Sequence, residues 1–131
     1  MAVKVLAVDD ELEILRLIKV KLEMSGFEVV TARDGEEGVR IALAEKPDVV
    51  LLDLTMPKLG GYAAAQRIKA EVTPQPIILM LTGRAPEAEV TSVLASSPDG
   101  YIAKPFSPRE LVAQINVALI KAGKSPNGAV G

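Results

Sequence analysis

Short apolar runs alternate with longer amphipathic segments along almost the whole chain, and this rhythm restricts the fold more than any other feature. The runs are Val3–Val8, Glu28–Ala32, Asp48–Leu52, Ile77–Leu81 and a weaker one at Gly100–Ala103. Val5-Leu6-Ala7-Val8, Val49-Val50-Leu51-Leu52 and Ile77-Ile78-Leu79-Met80-Leu81 are apolar at every position. They read as strands buried on both faces, the usual state of parallel strands. Between the runs, Glu11–Met24 carries Ile14, Leu15, Ile18 and Leu22 on one helical face and stops at Gly26. Asp34-Gly35-Glu36-Glu37 has the form of a capping box for a helix reaching Glu45, with Pro47 beyond it. Gly61–Glu71 and Pro86–Ala95 are weaker helical segments. Ser107-Pro108-Arg109-Glu110 supplies an N-cap, a proline at the first helical position and an acceptor three residues on. The helix it starts should run to about Ala122 and end at Gly123.

Five successive βα units predict an α/β fold. Five strands fit a flavodoxin-like, doubly wound (βα)5 sandwich around a parallel sheet in the order 2-1-3-4-5. Residues 1–122 form one domain on this reading, and 123–131 read as a disordered tail or the start of a linker. The chain contains no cysteine, histidine or tryptophan. That excludes a disulfide framework, a Cys/His zinc site and a nucleophile served by histidine. Any metal must be held by oxygen ligands, which selects a hard cation such as Mg²⁺, Ca²⁺ or Mn²⁺. A net charge of −2 without charge blocks gives no general attraction to nucleic acid or anionic membranes. Phe27, Tyr62, Tyr101 and Phe106 are too scattered for a base-stacking platform. The apolar runs are too short to span a bilayer, and the N-terminus has no signal pattern. A soluble, cytoplasmic domain is the expectation.

In an open α/β sheet, ligands bind outside the carboxyl ends of the strands, where the strand order reverses. Asp9 and Asp10 close the first strand and Asp53 closes the third, the two strands that flank this switch point. Three carboxylates meeting there repel one another and call for a counter-cation; an oxygen-lined acidic pocket suits Mg²⁺. Thr82 after the fourth strand and Lys104 after the fifth add a hydroxyl and an ammonium. Together they suit a phosphoryl group borne by one carboxylate, with the metal, Lys104 and Thr82 on its oxygens. Taken singly, the residues have plainer roles. Asp10 alone would serve as a helix N-cap, Thr82 as a turn residue and Lys104 as a solvated charge. Tyr101 could be plain core. Gly60-Gly61 lacks the surroundings of a phosphate loop and reads as a turn. Asp53 resists such a reading, because a charge ending an apolar strand must have a partner.

The set resembles a response-regulator receiver domain, the phosphoacceptor half of two-component signalling, of the CheY-like kind. The matching stretches are Val8-Asp9-Asp10-Glu11, Leu52-Asp53-Leu54-Thr55-Met56-Pro57 with Gly60-Gly61, Leu81-Thr82-Gly83, and Tyr101-Ile102-Ala103-Lys104-Pro105-Phe106. The resemblance covers residues 3–122. It implies that Asp53 takes a phosphoryl group from a phosphohistidine of a partner sensor histidine kinase or phosphotransfer protein. It further implies that Asp10, Asp53 and the backbone carbonyl of Thr55 bind Mg²⁺, with Asp9 acting through a bound water. Lys104 would contact the phosphoryl group, and the Lys104–Pro105 bond would be cis. Thr82 and Tyr101 would form a switch pair, biasing the surface of the fourth helix, fifth strand and fifth helix toward a downstream effector or output domain. Such a chain is no enzyme beyond forming and losing its own acyl phosphate, and the domain would not itself bind DNA.

Some residues depart from the pattern. Pro98 and Gly100 should make the approach to the fifth strand unusual and the strand's start weakly paired. Positions that carry crossed salt bridges in dimerising relatives correspond to Ser92, Gly100 and Gln114, all uncharged, which argues against that dimer. Thr55 and Arg84 fall where flanking residues influence phosphoryl lifetime in this family. Two other readings compete. A haloacid-dehalogenase-type phosphatase needs an acid two residues after its nucleophile, and Thr55 stands there. An unphosphorylated pseudo-receiver that only docks would have no need of the filled acceptor and metal positions.

Overall fold

The computed structural model describes residues 2–54, 60–82 and 99–124. Five strands, β1 (Lys4–Val8), β2 (Glu28–Ala32), β3 (Val49–Asp53), β4 (Ile77–Thr82) and β5 (Gly100–Ala103), form one sheet in the order β2-β1-β3-β4-β5. Every pairing is parallel, as expected. The described helices are α1 (Leu12–Met24), α2 (Gly35–Glu45), α3 (Gly61–Glu71) and, after β5, α4 (Pro108–Lys121). The helix expected at 86–95 and residues 125–131 of the expected tail lie outside the described residues.

The period-two alternation of the strands divides the core into two layers. Val5, Ala7, Val49, Leu51, Leu79 and Leu81 face α1 and α4, meeting Leu15, Ile18, Leu22, Leu111, Ile115 and Leu119. Leu6, Val8, Val50, Leu52, Ile78 and Met80 face α2 and α3, meeting Val39, Ala42, Ala64, Ala65 and Ile68. Burial of each Val, Leu, Ile or Met side chain among these stabilises the fold by about 1.5–3 kcal/mol before conformational entropy is subtracted.

Local signals set the helix ends. The Asp34 carboxylate accepts the Glu37 N–H at 2.9 Å, and the Glu37 carboxylate reaches back to the Arg33 N–H at 2.6 Å, one residue beyond the partner of a standard capping box. Ser107 caps α4 by accepting the Glu110 N–H at 3.1 Å. Gly26 (φ 94°) and Gly123 (φ 78°) end α1 and α4 in the left-handed region. At α1 the Phe27 N–H bonds the Leu22 carbonyl, and at α4 the Lys124 N–H bonds the Leu119 carbonyl. Lys46 ends α2 in the same region (φ 49°) without being glycine.

The start of β5 corrects an expectation. The Asp99 N–H donates to the Ile78 carbonyl at 2.7 Å, and the Asp99 carboxylate accepts the Ile78 N–H at 2.7 Å. A side chain thus supplies the ladder bond that Pro98 and Gly100 led us to expect missing. The start of β3 repeats the device: the Asp48 N–H donates to the Lys4 carbonyl at 2.8 Å, and its carboxylate accepts the Lys4 N–H at 2.9 Å. In sequence the two are marked alike, Pro47-Asp48 and Pro98-Asp99.

Candidate functional site

The carboxyl ends of β1, β3, β4 and β5 converge, and with them the residues expected to act together. Asp9 follows β1 and is fully buried. Its Oδ1 accepts the Glu11 N–H at 2.9 Å, and its Oδ2 accepts from Lys104 Nζ at 2.9 Å. Asp10 is exposed and does not cap α1; the cap position belongs to Glu11, which makes no side-chain cap bond. Asp9 instead holds the Glu11 N–H two residues on, an Asx-type turn ahead of the helix rather than a cap, because the chain turns outward after β1 and leaves only the first of the pair facing inward.

Asp53 is the last residue of β3 and only 7 % exposed. Lys104 Nζ lies 3.4 Å from its Oδ1, so one ammonium bridges the ends of β1 and β3. Burial works against that charge. The hydrogen bond Lys104 donates to Asp9 and the charges of Asp9 and Asp53 outweigh it, raising the lysine pKa above its ordinary value. The Lys104 N–H donates to the Thr82 carbonyl at 2.7 Å, and the Lys104–Pro105 bond is cis. Thr82, the last residue of β4, is buried. Tyr101 is not core: it leaves 44 % of its surface exposed on edge strand β5.

Asp9, Asp10 and Asp53 each offer a carboxylate oxygen, and these atoms lie within 4.8 Å of one another. Three carboxylates against one ammonium leave excess negative charge, and the oxygen donor set fits a hard divalent cation. Each carboxylate has lone pairs beyond those already used, so Asp9 can serve Lys104 and a hydrated ion together. Thr55 and Arg84 lie outside the described residues.

One close approach was not anticipated. Gly61 is the first residue of α3, as the segment Gly61–Glu71 predicted, and a Cβ there would fall on the Asp53 carbonyl oxygen. The glycine lets α3 press against the backbone that carries the buried acid. Only the Gly-Gly pair after β3 hints at this in the sequence, and it does not say what the glycine approaches.

A family model described as the response regulator receiver domain matches residues 5–116. Among curated relatives, a probable transcriptional regulator ycf27 of Cyanophora paradoxa is 45 % identical over 94 % of this chain and 50 % of its own length. The alkaline phosphatase synthesis transcriptional regulatory protein PhoP of Bacillus subtilis is 42 % identical over 88 % of this chain and 48 % of its own. The chain thus spans about half the length of the curated relatives it matches. Of solved structures, the Vibrio cholerae chemotaxis protein CheY4 superposes with a TM-score of 0.83 at 32 % identity, covering 91 % of this chain and 100 % of that one.

Proposed function

The chain belongs to the response regulator receiver domain family, and on that premise we propose that Asp53 is its phosphoacceptor. The observation that carries this is one buried carboxylate at a strand end, with an ammonium at 3.4 Å and two further carboxylates beside it. The donor is a phosphohistidine on a sensor kinase or phosphotransfer protein, since this chain has no histidine of its own. An Asp53 oxygen attacks phosphorus, the histidine N–P bond breaks, and the imidazole leaves with the electron pair and takes up a proton. Lys104 turns from the carboxylates toward the phosphoryl oxygens, and the Thr82 hydroxyl, at the adjacent strand end, moves to meet them. Asp9, Asp10 and Asp53, with the Thr55 carbonyl, would hold Mg²⁺, which supplies charge neutralisation between carboxylate and phosphoryl oxygens. Water later attacks the acyl phosphate, restoring Asp53 and releasing inorganic phosphate.

The exposed Tyr101 ring and the buried Thr82 are suited to the switch. The strand pairings Met80↔Tyr101 and Thr82↔Ala103 place them on neighbouring strands. A shift of Thr82 frees space into which the ring turns, changing the surface of residues 86–95, β5 and α4 that an effector or output domain reads. The catalysis is confined to the chain's own modification. None of the described helices is long and apolar enough to cross a membrane, in keeping with the cytoplasmic setting we assign to the phosphotransfer.

The test is incubation with radiolabelled acetyl phosphate and Mg²⁺. The wild type should gain label and Asp53→Asn should not; label at the same site in the variant would overturn the assignment.

A further inference from the structure

β5 has only four residues, lies at the sheet edge, and buries one apolar side chain, Ile102. Its hydrophobic pattern therefore specifies register weakly, and a slip of one residue would turn every side chain to the other face. Tyr101 would move to the core face and Lys104 would leave the space between Asp9 and Asp53. Something besides Ile102 must hold the strand in place.

We propose that Asp99 is a positioning residue for Lys104: its two bonds to Ile78 lock β5 against β4 in the one register that aims the ammonium at Asp9 and Asp53. The lock is bidirectional, with the Asp99 N–H on the Ile78 carbonyl and the Ile78 N–H on the Asp99 carboxylate, both at 2.7 Å. A slipped strand could keep neither. The same carboxylate oxygen receives Lys69 Nζ at 3.0 Å. Lys69 belongs to α3, the helix whose first residue, Gly61, abuts the Asp53 carbonyl. One helix thus braces the acid-bearing strand at its N-terminal end and the lysine-bearing strand near its C-terminal end. Asp99 touches neither metal nor phosphoryl group; it acts through the strand.

The inference deepens the phosphoacceptor reading and rests on it for its functional readout, so the test has two arms. In the first, amide hydrogen exchange is measured on the 131-residue chain without any phosphodonor. Asp99→Ala should speed exchange at Ile78 and Lys104 while leaving β1 and β3 amides protected. Unchanged exchange at Lys104 overturns the proposal whether or not the chain is ever phosphorylated. In the second arm, Asp99→Ala should slow uptake from acetyl phosphate by about tenfold to a hundredfold, the scale of a misplaced reacting group, with Mg²⁺ bound no more weakly than by the wild type. Asp99→Asn, whose amide oxygen can still accept the Ile78 N–H, should recover most of the rate. In a Lys104→Ala background Asp99→Ala should slow uptake no further; an undiminished additional loss would show that Asp99 does not act through the lysine. If Asp99→Ala fails to fold, Lys69→Met removes only the brace and should give a smaller change of the same kind, and no change there overturns the proposal. A wild type that takes up no label counts against Asp53 as acceptor and leaves the exchange arm to decide the role of Asp99.

Discussion

β3 and β5 both begin after a Pro-Asp step, both pin their first neighbour through the aspartate, and both deliver a charged residue to the site. Their surroundings differ completely. Val49, Val50, Leu51 and Leu52 of β3 have no exposed surface, whereas in β5 only Ile102 is buried. The acid stands on a strand that cannot move without opening both core layers. The lysine stands on an edge held by a few polar bonds and one apolar anchor. A phosphorylation switch needs that asymmetry: the acceptor must keep its place while the groups that sense the new charge move.

Core truncation should break the comparison most forcefully if it is wrong. Leu51→Ala should lose about 3 kcal/mol of stability in urea unfolding, by lost burial and the cavity left behind. Tyr101→Ala should lose less than about 1 kcal/mol, because much of its ring is already in water. Equal losses would mean that β5 is as rigidly built as β3.

Glycine substitutions probe the two strands from outside. Gly61→Ala should cost about 2 kcal/mol, since the methyl meets fixed backbone at Asp53 and α3 must retreat. Gly100→Ala should cost less than half as much, because its methyl meets only the end of the Leu79 side chain at 3.1 Å. Chemical denaturation of both variants gives the ratio, and a ratio near one would count against a firm β3 and a yielding β5.

The lysine tests the electrostatic side. Removing the ammonium that lies 2.9 Å from Asp9 and 3.4 Å from Asp53 should tighten Mg²⁺ binding by about 1 kcal/mol, roughly fivefold. Titration calorimetry on Lys104→Ala reads this directly. Without the ion, the same variant should melt below wild type, because Asp9 then stays buried without its cation. Mg²⁺ should recover part of that loss. The smallest expected effect lies at the approach to β3: Lys46→Gly should raise stability by about 0.5–1 kcal/mol, by relieving a left-handed residue that has a Cβ.

Much of this was legible from residue order alone. Strands buried on both faces announce themselves as unbroken apolar runs, and Ser107-Pro108 and Gly26 mark helix ends by chemistry confined to a few neighbouring residues. The site could be read because its members all sit at the ends of those strands. Other features depend on what comes near in space. Which of Asp9 and Asp10 turns inward follows from the path of the chain after β1. The Asp48 and Asp99 clasps require a knowledge of strand register, so Pro98 and Gly100 suggested a loose start where a carboxylate in fact ties one down. Gly61 looks like any glycine at the entry to a helix until the Asp53 carbonyl is placed against it.

The exposure of Tyr101 also fixes how this molecule can be watched. With no tryptophan and only two tyrosines, its near-ultraviolet emission comes from Tyr62, partly buried in α3, and Tyr101, open to water on β5. No indole is present to drain the excitation. A soluble quencher should therefore divide the emission into a shielded and an accessible part, and the accessible part carries an optical signal from the edge strand without any attached label.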